Sequence, residues 1–228
     1  KNPIAININY DSLAEALGFP KGFSDPSYFN VFDRVFKLSN KYQIPLSLYV
    51  IGKDLENSEV ASRIRDISEA GHEIGNHTYS HKMNLGALSK AEINYEIEKT
   101  HDLLTSCTGK EPKGFIAPAW STSEKVRKCL VDLKYEYDTS LFCSIYLYPM
   151  IMKIAINHIK NPKRISKVIS RRDWFYPLTR PSKPYFAGKN YQLAKNNEKS
   201  ILVLPMPTLN RFKLPMWHTT GFFTGWEG

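Results

Sequence analysis

Two periodicities of hydrophobic residues alternate along the chain from Ile4 to Asp138. Short runs of β-branched and aromatic residues predict strands, and apolar residues spaced three or four apart predict helices. The predicted strands cover residues 4–11, 45–51, 73–75, 114–117 and 135–138, and the predicted helices begin near Asp25, Ser58, Ser89 and Ser121. Capping-box sequences start the last two helices, and Gly71 and Gly109 are placed to end the second and third. Because strands and helices alternate, the pattern predicts a parallel sheet with helical crossovers.

Several polar or conformationally restricted residues fall at or just after the predicted strand ends. Asp11, His77, Pro118 and Asp138 follow this rule for four different strands. In parallel α/β barrels, the residues that carry chemistry come from the carboxyl ends of the strands. The sequence therefore predicts a functional site at that edge, with these four residues among its members.

His77 and His81 are four residues apart, a spacing that puts two side chains on one face of a helical turn. Two neutral imidazoles can then bind one divalent ion, and a third ligand has to come from elsewhere in the chain. The other interpretation is a pair of solvated histidines at the start of a helix. The spacing alone leaves both interpretations open.

The residues around these histidines carry a family resemblance. The sequence GHEIGNHTYSH at 71–81 resembles the metal-binding signature of the polysaccharide deacetylases, the NodB-homology family of carbohydrate esterases, and segments 48–54, 115–121 and 137–140 resemble further motifs of that family. The resemblance implies a distorted (β/α)7-type barrel and hydrolysis of N- or O-acetyl groups on a glycan. It also implies a zinc ion, or Co²⁺, Ni²⁺ or Mn²⁺ in its place, held by Asp11, His77 and His81.

The chain departs from that family at the position of the catalytic base. The resemblance implies an aspartate at residue 9 or 10, and these positions hold Asn9 and Tyr10. The arginine of the groove motif is replaced by Ile116. Asn9 therefore stands in the base position, and His218 is the candidate general acid. Two functions stay open: an active deacetylase, and a catalytically silent carbohydrate-binding relative.

The resemblance also implies a substrate groove. Its candidate substrate-binding residues are Tyr10, Pro118, Ala119, Trp120 and Asp138. His218 is the only histidine late enough in the chain to serve as the acid, and the alternative is that it is a rim residue. If the usual acid lies beyond Gly228, the 228 residues form a single deacetylase-like domain that lacks its C-terminal end.

The charge of the chain is concentrated in one segment. The net charge is +9, and residues 151–200 hold 12 Lys or Arg against Asp173 and Glu198. Residues 141–190 are expected to form a basic amphipathic insertion. Within it, residues 151–172 place apolar side chains among basic ones, which is typical either of a helix on the barrel surface or of one that rests on an anionic membrane. A nucleic-acid partner is the least favoured alternative, because the chain has no recognition motif.

Composition narrows the remaining choices. Hydrophobic residues make up 42% of the chain and charged residues 23%, values typical of a globular protein. No apolar run reaches the roughly 18 residues of a membrane-spanning helix. The three cysteines are odd in number and lack metal-site spacing, which argues for a reducing compartment. We expect a cytoplasmic protein, and a peripheral position at the membrane stays open.

Overall fold

The computed structural model describes residues 6–12, 27–157, 166, 171, 173–209 and 213–216. Contacts within the chain group it into two units. The first unit contains residues 1–82 and 94–116, and the second contains residues 83–93 and 117–228. The predicted alternation of strands and helices is confirmed.

The first unit is built on four parallel strands. Its elements in chain order are β1 (Ile6–Tyr10), α1 (Ser27–Tyr42), β2 (Leu46–Val50), a 3-10 turn (Gly52–Glu56), α2 (Ser58–Glu69), β3 (Glu73–Asn76), α3 (Lys90–Thr108, shared with the second unit) and β4 (Gly114–Phe115). The strands are hydrogen-bonded in the order β1-β2-β3-β4. Tyr10 pairs with Val50, and Val50 pairs with Asn76, so the carboxyl ends of the first three strands lie level.

The core of this unit explains its periodicities. Val60, Ile64 and Ile67 repeat along one face of α2 and are buried with the residues of β2. The buried cluster consists of Tyr10, Phe32, Leu46, Leu48, Val50, Leu55, Val60, Ile64, Ile67, Ile74 and Leu104. Burial of a Leu or Ile side chain contributes about 1.5–3 kcal/mol, so this cluster supplies much of the stability that fixes the strand ends.

The ends of the helices follow local chemistry. The capping box before α3 is confirmed: the Ser89 amide donates to the Glu92 carboxylate, and the Glu92 amide donates to the Ser89 hydroxyl. Gly71 and Gly109 follow α2 and α3 with positive φ angles of 92° and 71°, a conformation that favours glycine. The prediction that these two glycines end the helices is therefore also confirmed.

Three strands of a sheet belong to the second unit: β5 (Tyr137–Asp138), β6 (Tyr185–Ala187) and β7 (Ile201–Val203). The unit also contains the helices α4 (Glu124–Asp132), α5 (Leu147–Asn157) and α6 (Tyr176–Thr179), and β8 (Thr208–Leu209) pairs antiparallel with β9 (Leu214–Pro215). β7 is parallel to β5 and antiparallel to β6. Residues 185–187, at the end of the predicted insertion at 141–190, thus form a strand of this sheet.

The capping box predicted at Ser121–Glu124 is wrong. Ser123 is the residue that precedes α4, and its side chain makes no capping hydrogen bond. Glu124 instead binds the Arg127 guanidinium through both oxygens, at 2.7 and 2.9 Å. Because α4 begins at Glu124, this carboxylate lies at the first helical position, whereas a capping box needs it at the third.

The structure describes part of the predicted amphipathic segment. Residues 151–157 lie in α5, and Ser166 and Arg171 are also described, whereas the expected kink at Pro162 lies outside the described residues. Met152 and Ile156 on α5 are more than 60% exposed. Within the described ranges, no helix combines the length and the apolar content that crossing a membrane requires.

Candidate metal centre

The sheet of the first unit positions two of the predicted metal ligands. Asp11 follows the last residue of β1, and His77 follows the last residue of β3. The His77 amide donates to the Val50 carbonyl at 3.0 Å, which extends the parallel ladder by one residue. Because β2 lies between β1 and β3 and the strand ends lie level, Asp11 and His77 emerge at the same edge.

Asp11, His77 and His81 converge on one point. Asp11 Oδ2 lies 3.5 Å from His77 Nε2 and 3.6 Å from His81 Nε2. One ligand atom from each residue lies within 4.8 Å of the other two. Ligand atoms about 2.1 Å from a tetrahedral ion lie about 3.4 Å apart, so these separations fit a single zinc-sized ion. The side chains of Asp11 and His81 are 12% and 11% exposed, and His77 is 1% exposed.

The hydrogen bonds of His77 leave its metal-binding nitrogen free. His77 Nδ1 lies 2.7 Å from the Ile116 carbonyl oxygen, so Nδ1 carries the proton and donates it. Nε2 is buried and has no hydrogen-bond partner within the described residues. A buried polar atom without a partner costs free energy, and a metal ion at Nε2 would remove that cost. This backbone contact is the usual means of orienting a histidine ligand.

The environment of His81 favours the neutral imidazole. Burial and, to a smaller extent, the neighbouring His77 lower its pKa to about 4, and Asp11 acts in the opposite direction. His81 is therefore deprotonated at neutral pH, which is the form that binds a metal. The donor set of one carboxylate and two imidazoles suits zinc, with positions left over for water and substrate.

The loop that carries the histidines has a strained backbone. Thr78 and His81 have positive φ angles of 65° and 55°, which residues other than glycine rarely adopt. Hydrogen bonds hold this loop in place: the amides of Gly52 and Lys53 donate to the carbonyls of Thr78 and Tyr79, both at 2.9 Å. Such strain persists when the surrounding structure determines the conformation, and it is common at functional sites.

The structure places the residues at the base position on opposite faces of β1. Asn9 is exposed, whereas Tyr10 is 4% exposed and its ring stacks on Tyr28 with centroids 4.4 Å apart. Packing in the core accounts for the position of Tyr10, and its predicted contact with substrate is not supported by this burial. Ile116, which replaces the arginine, is buried and orients His77 through its carbonyl. His218 lies outside the described residues.

The predicted groove residues of the second unit lie in two places. Pro118, Ala119 and Trp120 form a 3-10 turn in which Ala119 and Trp120 have φ angles of 50° and 52°. Trp120 is partly buried and packs 4.9 Å from the Phe142 ring, measured between centroids. Their contact with substrate stays a prediction.

Asp138 is fully buried at the end of β5. One oxygen accepts a hydrogen bond from the Tyr191 hydroxyl at 2.5 Å, and the other accepts one from the Ser140 amide at 2.8 Å. Burial raises the pKa of Asp138, and these hydrogen bonds act against that shift. Protein donors thus occupy both oxygens of Asp138, and its contact with substrate stays a prediction.

Four residues around the metal centre were not anticipated from the sequence. Asp54 binds Ser12, the residue after Asp11, and Glu96 binds Ser80, the residue before His81. No local sequence signal marks these carboxylates, because their partners are 42 and 16 residues away. His72 lies away from these residues and accepts the Leu46 amide at the start of β2, the strand end opposite the metal centre.

Comparison with known proteins agrees with this geometry. The sequence model of the polysaccharide deacetylases matches residues 22–137. The peptidoglycan deacetylase of Helicobacter pylori is 28% identical over 185 residues, which are 78% of this chain and 60% of that protein. A peptidoglycan-N-acetylglucosamine deacetylase of Bacillus cereus is 32% identical over 80 residues, or 35% of this chain and 28% of that protein. The chain thus spans about 60% of the length of its H. pylori relative.

A solved structure shows the same fold. A Mycobacterium smegmatis protein, provisionally named a polysaccharide deacetylase, aligns with a TM-score of 0.55 at 19% identity. The alignment covers 88% of this chain and 57% of the M. smegmatis chain. At this identity the likeness shows the fold alone, and it confirms the predicted class, the deacetylase-type α/β barrel. Because the family's sequence model matches more than half of its residues, the chain belongs to the polysaccharide deacetylase family.

Proposed function

We propose that this chain is a metal-dependent hydrolase that removes acetyl groups from a glycan. The observation that carries the proposal is the convergence of Asp11, His77 and His81, whose ligand atoms lie within 4.8 Å of one another. Zinc is the ion we propose, because borderline-soft nitrogen ligands with one carboxylate suit it, and Co²⁺, Ni²⁺ or Mn²⁺ are the alternatives.

The names of two relatives support an amide substrate. Both the H. pylori and the B. cereus proteins are named peptidoglycan deacetylases. We therefore propose an N-acetylated glycan as the first substrate class to test, and an O-acetylated glycan as the second.

The residues of the chain have defined roles in such a reaction. Asp11, His77 and His81 would hold a divalent ion, and the Ile116 carbonyl fixes the tautomer of His77. Such an ion would supply Lewis-acid polarisation of an acetyl carbonyl and a lowered pKa for water at the site. The Asn9 amide can donate and accept hydrogen bonds but cannot take up a proton at neutral pH. Asn9 can thus orient a water molecule at the base position but not deprotonate it. Proton transfer to the leaving group is assigned to His218.

The replacement of the base favours a second candidate function. With Asn9 and Tyr10 at the base position and Ile116 in place of the arginine, both charges of the usual pair are absent. Removing one partner would leave a buried charge uncompensated, whereas removing both leaves none. A protein that binds the glycan without turnover would retain the metal ligands and tolerate these replacements.

An acetate-release assay separates the two functions. The full chain, loaded with zinc or cobalt, would be incubated with N-acetylglucosamine oligomers, with peptidoglycan fragments and with O-acetylated xylan. We expect acetate release from an N-acetylated substrate and a loss of at least about 100-fold in Asp11→Asn, because the metal supplies several kcal/mol of transition-state stabilisation. Asp66→Asn, an exposed carboxylate on α2, is the matched control and should retain full activity.

The outcomes of this assay are distinct. Binding of the oligomers by the metal-loaded chain without acetate release would favour the silent relative. Equal acetate release by wild type and Asp11→Asn would show that the reaction does not depend on a metal ion held by Asp11.

We also propose that residues 151–172 contact an anionic membrane. Such a contact would bring the metal centre close to a lipid-linked glycan. The exposed Met152 and Ile156 side chains of α5 are compatible with it, and they are equally compatible with a surface helix. We also propose a cytoplasmic location, with or without a peripheral position at the membrane.

A further inference from the structure

Two serines flank the metal centre along the chain. Ser12 follows the ligand Asp11, and Ser80 precedes the ligand His81. Each serine donates both its backbone amide and its hydroxyl to a single carboxylate, and each carboxylate uses one oxygen for the amide and the other for the hydroxyl. We call these two arrangements the serine clamps. The same bonding pattern thus occurs beside two ligands that come from different strand ends.

The first clamp holds the end of β1. The Ser12 amide donates to Asp54 Oδ2 at 3.0 Å, and the Ser12 hydroxyl donates to Asp54 Oδ1. Asp54 Oδ2 also accepts the Tyr28 hydroxyl at 3.2 Å. Because Tyr28 stacks on Tyr10, the residues on both sides of Asp11 are tied to the Asp54 carboxylate, directly or through one ring.

The second clamp holds the histidine loop. The Ser80 amide donates to Glu96 Oε2 at 2.7 Å, and the Ser80 hydroxyl donates to Glu96 Oε1. Glu96 lies on α3 and is only 4% exposed, so the two hydrogen bonds from Ser80 replace contacts of this carboxylate with water. The next residue, His81, has a φ angle of 55°, a conformation that a free loop would rarely keep. Hydrogen bonds between charged and neutral groups are about twice as strong as those between neutral ones, so the clamp can offset this strain.

The 3-10 turn Gly52–Glu56 connects the two clamps. It carries Asp54, and its Gly52 and Lys53 amides donate to the carbonyls of Thr78 and Tyr79 in the histidine loop. A Cβ atom at Gly52 would lie 2.3 Å from the Thr100 hydroxyl on α3, so the turn approaches that helix as closely as glycine permits. One short turn therefore fixes the strand end before the metal centre and the loop after it.

We propose that Asp54 and Glu96 are positioning residues that set the metal affinity by holding Asp11 and His81 in ligand geometry. The inference rests on the proposed metal site. Its physical basis is that an ion binds more tightly to ligands that are already in place, because the cost of ordering them has been met on folding. Partners of metal ligands commonly change metal affinity 10- to 100-fold when they are replaced.

Metal titration of four clamp variants tests this inference. Zinc and cobalt would be titrated into the metal-free full chain for wild type, Asp54→Asn, Glu96→Gln, Ser12→Ala and Ser80→Ala. We expect about 10- to 100-fold weaker binding in the carboxylate variants, and a smaller loss in the serine variants, which keep the amide hydrogen bond. The visible absorption bands of bound cobalt, which report ligand geometry, should also change in the carboxylate variants.

Two exposed carboxylates provide matched controls. Glu98→Gln lies on α3 beside Glu96, and Asp66→Asn lies on α2, and both should bind metal as wild type does. The thermal midpoint of each metal-free variant would be measured in parallel. Ser12→Ala and Ser80→Ala each remove one hydroxyl group, so they keep the test possible if a carboxylate variant fails to fold.

The outcomes separate this inference from the metal site itself. If wild type binds one ion and the clamp variants bind it with equal affinity and an unchanged cobalt spectrum, the positioning role is wrong, even if their thermal midpoints fall. If wild type binds no ion, the metal site is wrong and the positioning role falls with it. Weaker binding at an unchanged thermal midpoint would establish it.

Discussion

Asp11 and Asp138 both lie at the carboxyl ends of short strands, and each belongs to a different unit of the chain. Asp138 is fully buried, and protein donors occupy both of its oxygens: the Tyr191 hydroxyl and the Ser140 amide. Asp11 faces two imidazole nitrogens at 3.5 and 3.6 Å, and His77 Nε2 has no hydrogen-bond partner within the described residues. A buried polar group that is satisfied by the protein stabilises the fold, whereas a set that is left open is arranged for a ligand.

The same contrast separates two histidines of the first unit. His72 uses both ring nitrogens: Nδ1 accepts the Leu46 amide at 3.0 Å, and Nε2 lies 3.2 Å from the Asn40 side-chain oxygen. His81 presents Nε2 to Asp11 beside His77. Burial lowers the pKa of both His72 and His81, so a lowered pKa alone does not distinguish a structural histidine from a ligand.

The largest effect on stability is expected at the satisfied carboxylate. Tyr191→Phe removes the hydroxyl that binds Asp138 and Thr122, and it leaves a buried carboxylate oxygen without its donor. We expect a loss of about 1–3 kcal/mol in the free energy of unfolding, measured by urea denaturation. Metal binding should be unchanged, because the metal ligands belong to the other unit.

Tyr146→Phe is the matched control for that measurement. Tyr146 belongs to the same unit and is 40% exposed, so loss of its hydroxyl should change the free energy of unfolding by less than about 0.5 kcal/mol. Equal effects of the two substitutions would remove the structural role that the comparison gives to Asp138.

A smaller effect is expected from the pH dependence of His72. Burial lowers its folded-state pKa below the ordinary value of 6.5, so the unfolded chain takes up a proton first as the pH falls. The stability contributed by neutral His72 is therefore complete above about pH 6.5 and is lost progressively below it. His72→Gln keeps a donor and an acceptor but removes the titration, so its thermal midpoint should fall less between pH 7 and pH 5 than that of wild type.

The same change at His101, a histidine on α3, serves as the control for the pH series. His101→Gln, measured in the same series, shows how much the pH dependence changes on replacement of a histidine elsewhere in the chain. A His72→Gln profile that superimposes on the wild-type profile would show that this contact makes no contribution to the acid sensitivity of the fold.

Local sequence patterns were sufficient for most elements of the first unit. The strands and helices between Leu46 and Thr108 begin and end within a few residues of the prediction, because apolar periodicity and terminal residues such as Ser89 and Gly109 act locally. Asp11, His77 and His81 could be singled out because the residues around the two histidines resemble the metal-binding signature of a known family, which implies all three ligands. The capping box at Ser121 failed because α4 begins later than predicted, at Glu124, so Ser121 does not precede the helix directly.

The parts of the site that depend on distant residues could not be predicted. Whether a strand-end aspartate is open or buried depends on its neighbours in space, and Tyr191 lies 53 residues from Asp138. Alternation along β1 predicts that Asn9 and Tyr10 face opposite sides, but not that Tyr10 is the buried one. The partners of Ser12 and Ser80 are likewise set by the packing of the 3-10 turn and α3.

The metal content of the purified protein shows whether Asp11, His77 and His81 bind one ion together. Metal-stripped wild type and the His77→Ala/His81→Ala double variant would be equilibrated with zinc, freed of unbound ion and analysed for zinc per chain, with circular dichroism as the check on folding. We expect one zinc ion per wild-type chain and none in the folded double variant. One zinc ion per chain in the double variant would contradict this expectation.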